Sequence, residues 1–191
     1  GNVNSVSYQA DQPDQWHHRY TYDADNRIEN VQTSTDNISW DEDARYFYYD
    51  HGPLARVELG ENNVQGTDYA YTLQGWLKGV NSDLLTAQND MGKDGLNNGS
   101  NPNGLIAKDA MGYSLNYYTG DPINSSGDYK AIDNTLTAST NFSSDVAALY
   151  GSGSTNSLYN GNIGAMVTTL KAPVDLASGT ATVHPQAMAY E

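Results

Sequence analysis

Two acids four residues apart, Asp90 and Asp94, stand in Asp90-Met91-Gly92-Lys93-Asp94-Gly95. Acids spaced along a loop, with a glycine where the chain must turn sharply, are how calcium loops gather hard oxygen ligands. The full pattern wants an acid or amide at the third position and a bidentate Glu at the twelfth, where this chain has Gly92 and Asn101. A structured Asn/Gly loop is therefore the expectation, calcium at Asp90 and Asp94 is the alternative, and no other cofactor is expected. Asp41, Glu42 and Asp43 are carboxylates of the type that cleave glycosides, but that chemistry needs a fixed separation across a cleft, and an acidic run reads as a solvated loop. His17 and His18 point to opposite faces of a strand and His51 falls in a turn, so the histidines assemble no zinc site. With no Cys there is no disulfide, thiolate nucleophile or Cys-based zinc site. No catalytic residue is assigned, and the chain is expected not to be an enzyme.

The stronger pattern is a repeat. Tyr20-Thr21-Tyr22-Asp23-Ala24-Asp25-Asn26-Arg27-Ile28 returns as Tyr48-Tyr49-Asp50-His51-Gly52-Pro53-Leu54 and as Tyr69-Ala70-Tyr71-Thr72-Leu73-Gln74-Gly75-Trp76-Leu77. Each copy sets an aromatic pair before a turn cluster and then a large apolar residue: a strand, a turn and the start of the next strand. Tyr22, Tyr49 and Tyr71 stand 27 and 22 residues apart, a period typical of repeat architectures. A unit this short cannot bury its apolar face alone and must stack on its neighbours. In this alignment the second copy has lost a residue before its Gly and places Arg56 late, and the third has Thr72 where the acid should stand, so both are expected to keep the strand but not every turn contact. The tyrosines and acids read first as cross-strand packing and turn closure. Their alternative use is an aromatic row that stacks sugar rings.

Residues 1–80 therefore read as antiparallel β-hairpins, with Gly52 and Gly75 at hairpin tips. Residues 81–110 are an Asn/Gly/Asp-rich loop insertion, with one helical turn expected over 83–88. Residues 111–171 return to strands with irregular loops, and 172–191 read as a linker toward a next repeat. The fold class expected is all-β, hairpins stacked into a curved or spiralling sheet.

The repeat is similar to the YD repeat of the rearrangement-hotspot (RHS) family, large bacterial surface and secreted proteins whose hairpins coil into a hollow β-shell. The likeness rests on residues 20–28, on Tyr71-Thr72-Leu73-Gln74-Gly75-Trp76-Leu77-Lys78-Gly79-Val80-Asn81, on Gly112-Tyr113-Ser114-Leu115-Asn116-Tyr117-Tyr118-Thr119-Gly120-Asp121 and on Leu158-Tyr159-Asn160-Gly161-Asn162-Ile163. The resemblance implies a wall segment that encloses, displays or scaffolds, with intact relatives wrapping a toxic or effector C-terminal segment that does not lie within these residues. Asp121-Pro122 is similar to the dipeptide of that family's self-cleaving core domain, but Ile123-Asn124-Ser125 follows where a Gly is expected, so protease activity is not carried over.

Composition narrows the partners. A net charge of −14, with only 9 Lys and Arg, excludes nucleic acid and polybasic membrane binding, because both need clustered cations. No run approaches the roughly 18 apolar residues of a membrane-spanning helix. Fifteen Tyr against two Phe suit broad sheets with half-wet faces. Expected partners are neighbouring repeats of a longer chain, or copies of itself edge to edge, and an enclosed effector. The expected location is extracellular or the bacterial surface. The other reading is an adhesin-like module that binds glycan or protein through exposed Tyr and Trp.

Overall fold

A computed structural model describes residues 1–83, 85, 89–97, 99–117, 161–171 and 183–189. The protein is all-β. Its strands are β1 (Ser5–Tyr8), β2 (Trp16–Tyr22), β3 (Ile28–Ser34), β4 (Asp41–Tyr48), β5 (Leu54–Leu59), β6 (Gln65–Tyr71), β7 (Leu77–Val80), β8 (Met111–Asn116), β9 (Ala165–Lys171) and β10 (Val183–Ala189). They pair antiparallel in strict chain order to form one sheet, and among the described residues β1 and β10 do not meet, so the sheet is open. The helical turn expected over 83–88 falls mostly outside the described residues, as do Asp121-Pro122 and Leu158 to Asn160. β10 lies within 172–191, and its Pro185 opposes Thr169 at the outermost strand, where a missing N–H is tolerated.

Period-2 patterning produces the strands. In β2, His18, Tyr20 and Tyr22 are half-buried on one face, whereas Arg19 and Thr21 on the other are exposed. The connections sort by end. Three short ones, 23–27, 49–53 and 72–76, lie at one end of the sheet, and those at 9–15, 35–40, 60–64 and 81–110 lie at the other. In the 35–40 connection the N–H groups of Ile38 and Ser39 donate to Asp36, and with the Ser34 hydroxyl they hold its carboxyl down to about 2.

The interior is polar to an unusual degree. Ala44, Val57, Val80, Ile106, Leu115, Tyr117 and Val167 are the buried apolar side chains, and about twice as many buried polar or charged ones accompany them among the described residues. Hydrogen bonds and ion pairs must therefore carry much of the specificity that an apolar core would otherwise supply.

One strand serves two neighbours in turn. Residues 65–68 of β6 pair with β5, and residues 69–71 pair with β7. At the changeover the Asn81 N–H donates to the Asp68 carbonyl (2.8 Å), and the Asp68 N–H donates to Asn81 Oδ1 (2.8 Å). The 81–110 connection leaves the sheet at that point.

Candidate functional site

The three short connections are one structure. The N–H of Asp23, Tyr49 or Thr72 donates to the carbonyl four residues on, that of Arg27, Pro53 or Trp76, at 2.9, 2.9 and 2.7 Å. The N–H of Asn26, Gly52 or Gly75 closes the inner turn at 3.1, 2.8 and 2.9 Å. That fourth position of each connection has φ of +63°, +116° and +86°, which Asn tolerates and Gly adopts freely. A register shift precedes Tyr22, Tyr48 and Tyr71 alike.

This geometry corrects the alignment made from sequence. Tyr48, not Tyr49, matches Tyr22 and Tyr71, which puts the repeat tyrosines 26 and 23 residues apart. The second copy has lost no residue. Tyr49 takes the place of Asp23, the exposed Asp50 that of Ala24, and Pro53 that of Arg27, while Arg56 belongs to β5 and is not a tip residue. The tyrosine doublet allowed either alignment, and backbone hydrogen bonding decides. Thr72 also keeps the turn contact: its Oγ1 accepts the Trp76 N–H at 3.1 Å, as Asp23 Oδ1 accepts the Arg27 N–H at 2.9 Å.

Adjacent tips are joined by tyrosine. The Tyr48 hydroxyl donates to the Ile28 carbonyl (2.8 Å), and the Tyr117 hydroxyl donates to the Leu77 carbonyl (2.7 Å). Ile28 and Leu77 are equivalent, each the first strand residue after its tip. The residue before each covers the incoming ring: the Arg27 guanidinium lies 4.4 Å from the Tyr48 centroid, and the half-buried Trp76 lies 5.2 Å from Tyr117. Arg27 also pairs with Asp23 (2.6 Å) and Asp25 (3.2 Å) and donates to the Gly52 carbonyl (3.1 Å). At the outer edge the Tyr22 hydroxyl reaches the Val3 carbonyl (2.7 Å), while Tyr20 stacks 6.2 Å from His18.

The junction between the second and third tips is built differently. There the Tyr49 hydroxyl donates to the Tyr69 carbonyl (2.7 Å), and its ring meets Tyr71 edge-on at 6.4 Å. Further along, Arg56 Nε pairs with Glu58 (2.9 Å), Nη1 with Asp68 (2.6 Å) and Nη2 with Asp94 (2.6 Å), all buried. A Cβ on Gly66 would stand 2.0 Å from Nη2, and one on Gly92 would stand 2.0 Å from Nη1. The guanidinium thus fits only between two glycine backbones, one in β6 and one in the connection.

The connection is folded to present Asp94. Asp90 accepts the N–H groups of Lys93 (3.0 Å) and Asp94 (2.9 Å), Asn101 Nδ2 donates to the Lys93 and Leu96 carbonyls, and Asn103 Nδ2 donates to the Gly92 carbonyl (2.7 Å). Ala107 bridges Gln65 in parallel, and Asp83 accepts the Ser114 hydroxyl at 2.6 Å. Asp90 and Asp94, considered for calcium from sequence, both lie in this cluster. Among the described residues no group of three His, Asp or Glu is arranged to hold a metal ion.

The electrostatics are acidic. Burial pushes Asp94 up to about 6 against the pull of Arg56, and burial raises Asp68 against the same pull. Asp109 is pushed up to about 8 by burial and then by the charges of Asp90, Asp94 and Asp68. Burial alone would lower Arg56, but Asp68, Asp94 and Glu58 outweigh it and keep the guanidinium charged.

Sequence reasoning missed Arg56, Glu58, Asp68 and Asp109 as a group. The available signal was Arg56 and Glu58 two apart in Leu54-Ala55-Arg56-Val57-Glu58-Leu59, which places a charge pair on one face of an otherwise apolar strand. No family model and no curated protein matches the chain.

Proposed function

We propose that this chain is a structural wall segment of the RHS/YD-repeat type, extracellular or on the bacterial surface, that encloses, displays or scaffolds an effector and performs no catalysis itself. The observation that carries the reading is the repeated hairpin junction: Tyr48 to Ile28 and Tyr117 to Leu77 are the same bond made two repeats apart, and a tyrosine hydroxyl on a carbonyl also joins the tips between them. A device that fastens each hairpin to the one before adds units in series, and serial addition builds walls. β1 and β10 each pair on one side only among the described residues, so further hairpins of the same chain, or a second copy, fit there through ladder hydrogen bonds.

Small-angle scattering combined with light scattering across a salt series tests this. An open sheet gives a radius of gyration well above the about 16 Å of a compact chain of 191 residues. Screening of the −14 charge should then promote edge-to-edge association. A compact monomer at high salt and high concentration would refute the reading. The adhesin-like alternative has one supporting feature, the cross-strand pair Tyr8 and Trp16, 60% and 41% exposed. Glycan binding abolished by Tyr8→Ala would favour it.

A further inference from the structure

The Arg56 cluster is out of charge balance. Glu58, Asp68, Asp90, Asp94 and Asp109 are all buried, and among the described residues Arg56 is a buried cation paired with three of them. Lys93 and Lys108 complete the charged residues near it on the connection; Lys108 is exposed, with its stem packed over Gly95. Asp83 is engaged elsewhere, by Ser114.

The hydrogen bonding is out of balance in the same sense. Asp94 Oδ2 and both carboxylate oxygens of Asp109 are buried without a partner, although Asp94 and Asp109 are 1% and 4% exposed. All three atoms are acceptors. An ionised carboxylate left this way loses its hydration and gains nothing in return, which a folded chain does not sustain. A proton is the smallest addition that eases both defects: on Asp109 it cancels one charge and converts one of the three unpartnered acceptors into a donor.

We propose that the 81–110 connection is a proton-coupled clasp, closed over Arg56 while Asp109 carries a proton and released as that carboxyl ionises. The closed form holds Gly92 and Asp94 against the guanidinium and Ala107 against Gln65. Ionisation of Asp109 adds a charge beside Asp90, Asp94 and Asp68, and the connection is the part that can move away, because Arg56, Glu58 and Asp68 are fixed in paired strands. The direction follows from the upward shifts of Asp94 and Asp109 from 3.8. The closed form takes up protons, so its advantage is full in acid, declines as pH rises from about 4 to about 8, and is constant above that.

The test compares the wild type with Asp109→Asn, which is neutral at every pH and has the same shape. Limited trypsin digestion is read as the ratio of cleavage after Lys93 to cleavage after Arg27, which cancels the protease's own pH dependence. Between about pH 6 and about pH 8 the wild-type ratio should rise, by up to about tenfold per pH unit for a single coupled proton, and the Asp109→Asn ratio should stay low. A wild-type ratio indifferent to pH, or an equal rise in both proteins, overturns the clasp. So does restoration of closure at alkaline pH by calcium in the wild type alone, since a metal would then hold the place given to the proton. Should Asp109→Asn fail to fold, carbon NMR of the wild-type Asp109 carboxyl decides. A titration midpoint far above the ordinary aspartate value supports the proposal, and an ordinary midpoint contradicts it.

Discussion

Arg27 and Arg56 each bind acids beside a hairpin junction, and they do opposite things. Arg27 is 29% exposed, pairs with an Asp23 that is 22% exposed, lies over Tyr48 and tops a junction whose main bond is a tyrosine hydroxyl on a carbonyl. Arg56 is 9% exposed, pairs with an Asp94 that is fully buried and has a glycine backbone on each side. Exposed ion pairs contribute about 0–1 kcal/mol, whereas removing one partner of a buried pair costs about 3–5 kcal/mol by stranding the other charge. The same residue type therefore decorates one junction and holds the other together. The difference arises from β6, which changes partners at Asp68 and lets a long connection fold back onto the gap.

The largest effect should come from Arg56→Ala, which leaves Glu58, Asp68 and Asp94 without their cation. A loss of about 3–5 kcal/mol in chemical denaturation is expected, against no more than about 1 kcal/mol for Arg27→Ala. Equal losses would erase the distinction between the junctions. Next come Gly66→Ala and Gly92→Ala. Each puts a methyl onto the guanidinium and should cost about 1–3 kcal/mol as an overpacking defect. A variant as stable as the wild type would mean that Arg56 does not occupy that slot.

Smaller again are Tyr48→Phe and Tyr117→Phe, each deleting one bond to a carbonyl, for about 0.5–1.5 kcal/mol by thermal or chemical unfolding. Because the two bonds are equivalent, the two losses should agree; a silent Tyr117→Phe would confine the device to the first junction. A last contrast lies at the tips, where Gly75→Ala should cost about 1 kcal/mol for a side chain at positive φ, and Asn26→Gly should stay within a few tenths in chemical denaturation.

The strands were legible because Tyr alternates at period 2 and Gly, Asn and Asp punctuate it. The tips were legible as turns, but their alignment was not. Tyr48-Tyr49 offers two equivalent starts, and only the bond from the Tyr49 N–H to the Pro53 carbonyl fixes which is right. Thr72 looked like a lost contact because an acid was taken as the turn's requirement, when any short oxygen-bearing side chain suffices. The Arg56 cluster was hidden for a different reason. Arg56 and Asp94 lie 38 residues apart, and no local pattern shows which acid of an acidic chain will meet a given guanidinium. Gly66 falls in a strand and Gly92 in the Asn/Gly-rich connection, and neither setting shows in sequence that their role is to leave room for another side chain.

The connection from Asp90 to Asp109 is docked through Arg56 as part of the sheet rather than trailing from it. Hydrogen exchange of the wild-type protein in mildly acidic buffer tests it most directly, at the amides of Lys93, Asp94, Gly95 and Ile106, which are bonded to Asp90 and Asn103. These amides should be protected to nearly the degree of those in β5 and β6, and Asp94→Asn should release them while Asn26 and Arg27 keep their protection. Exchange at free-peptide rates in the wild type, with β5 and β6 fully protected, would contradict the account.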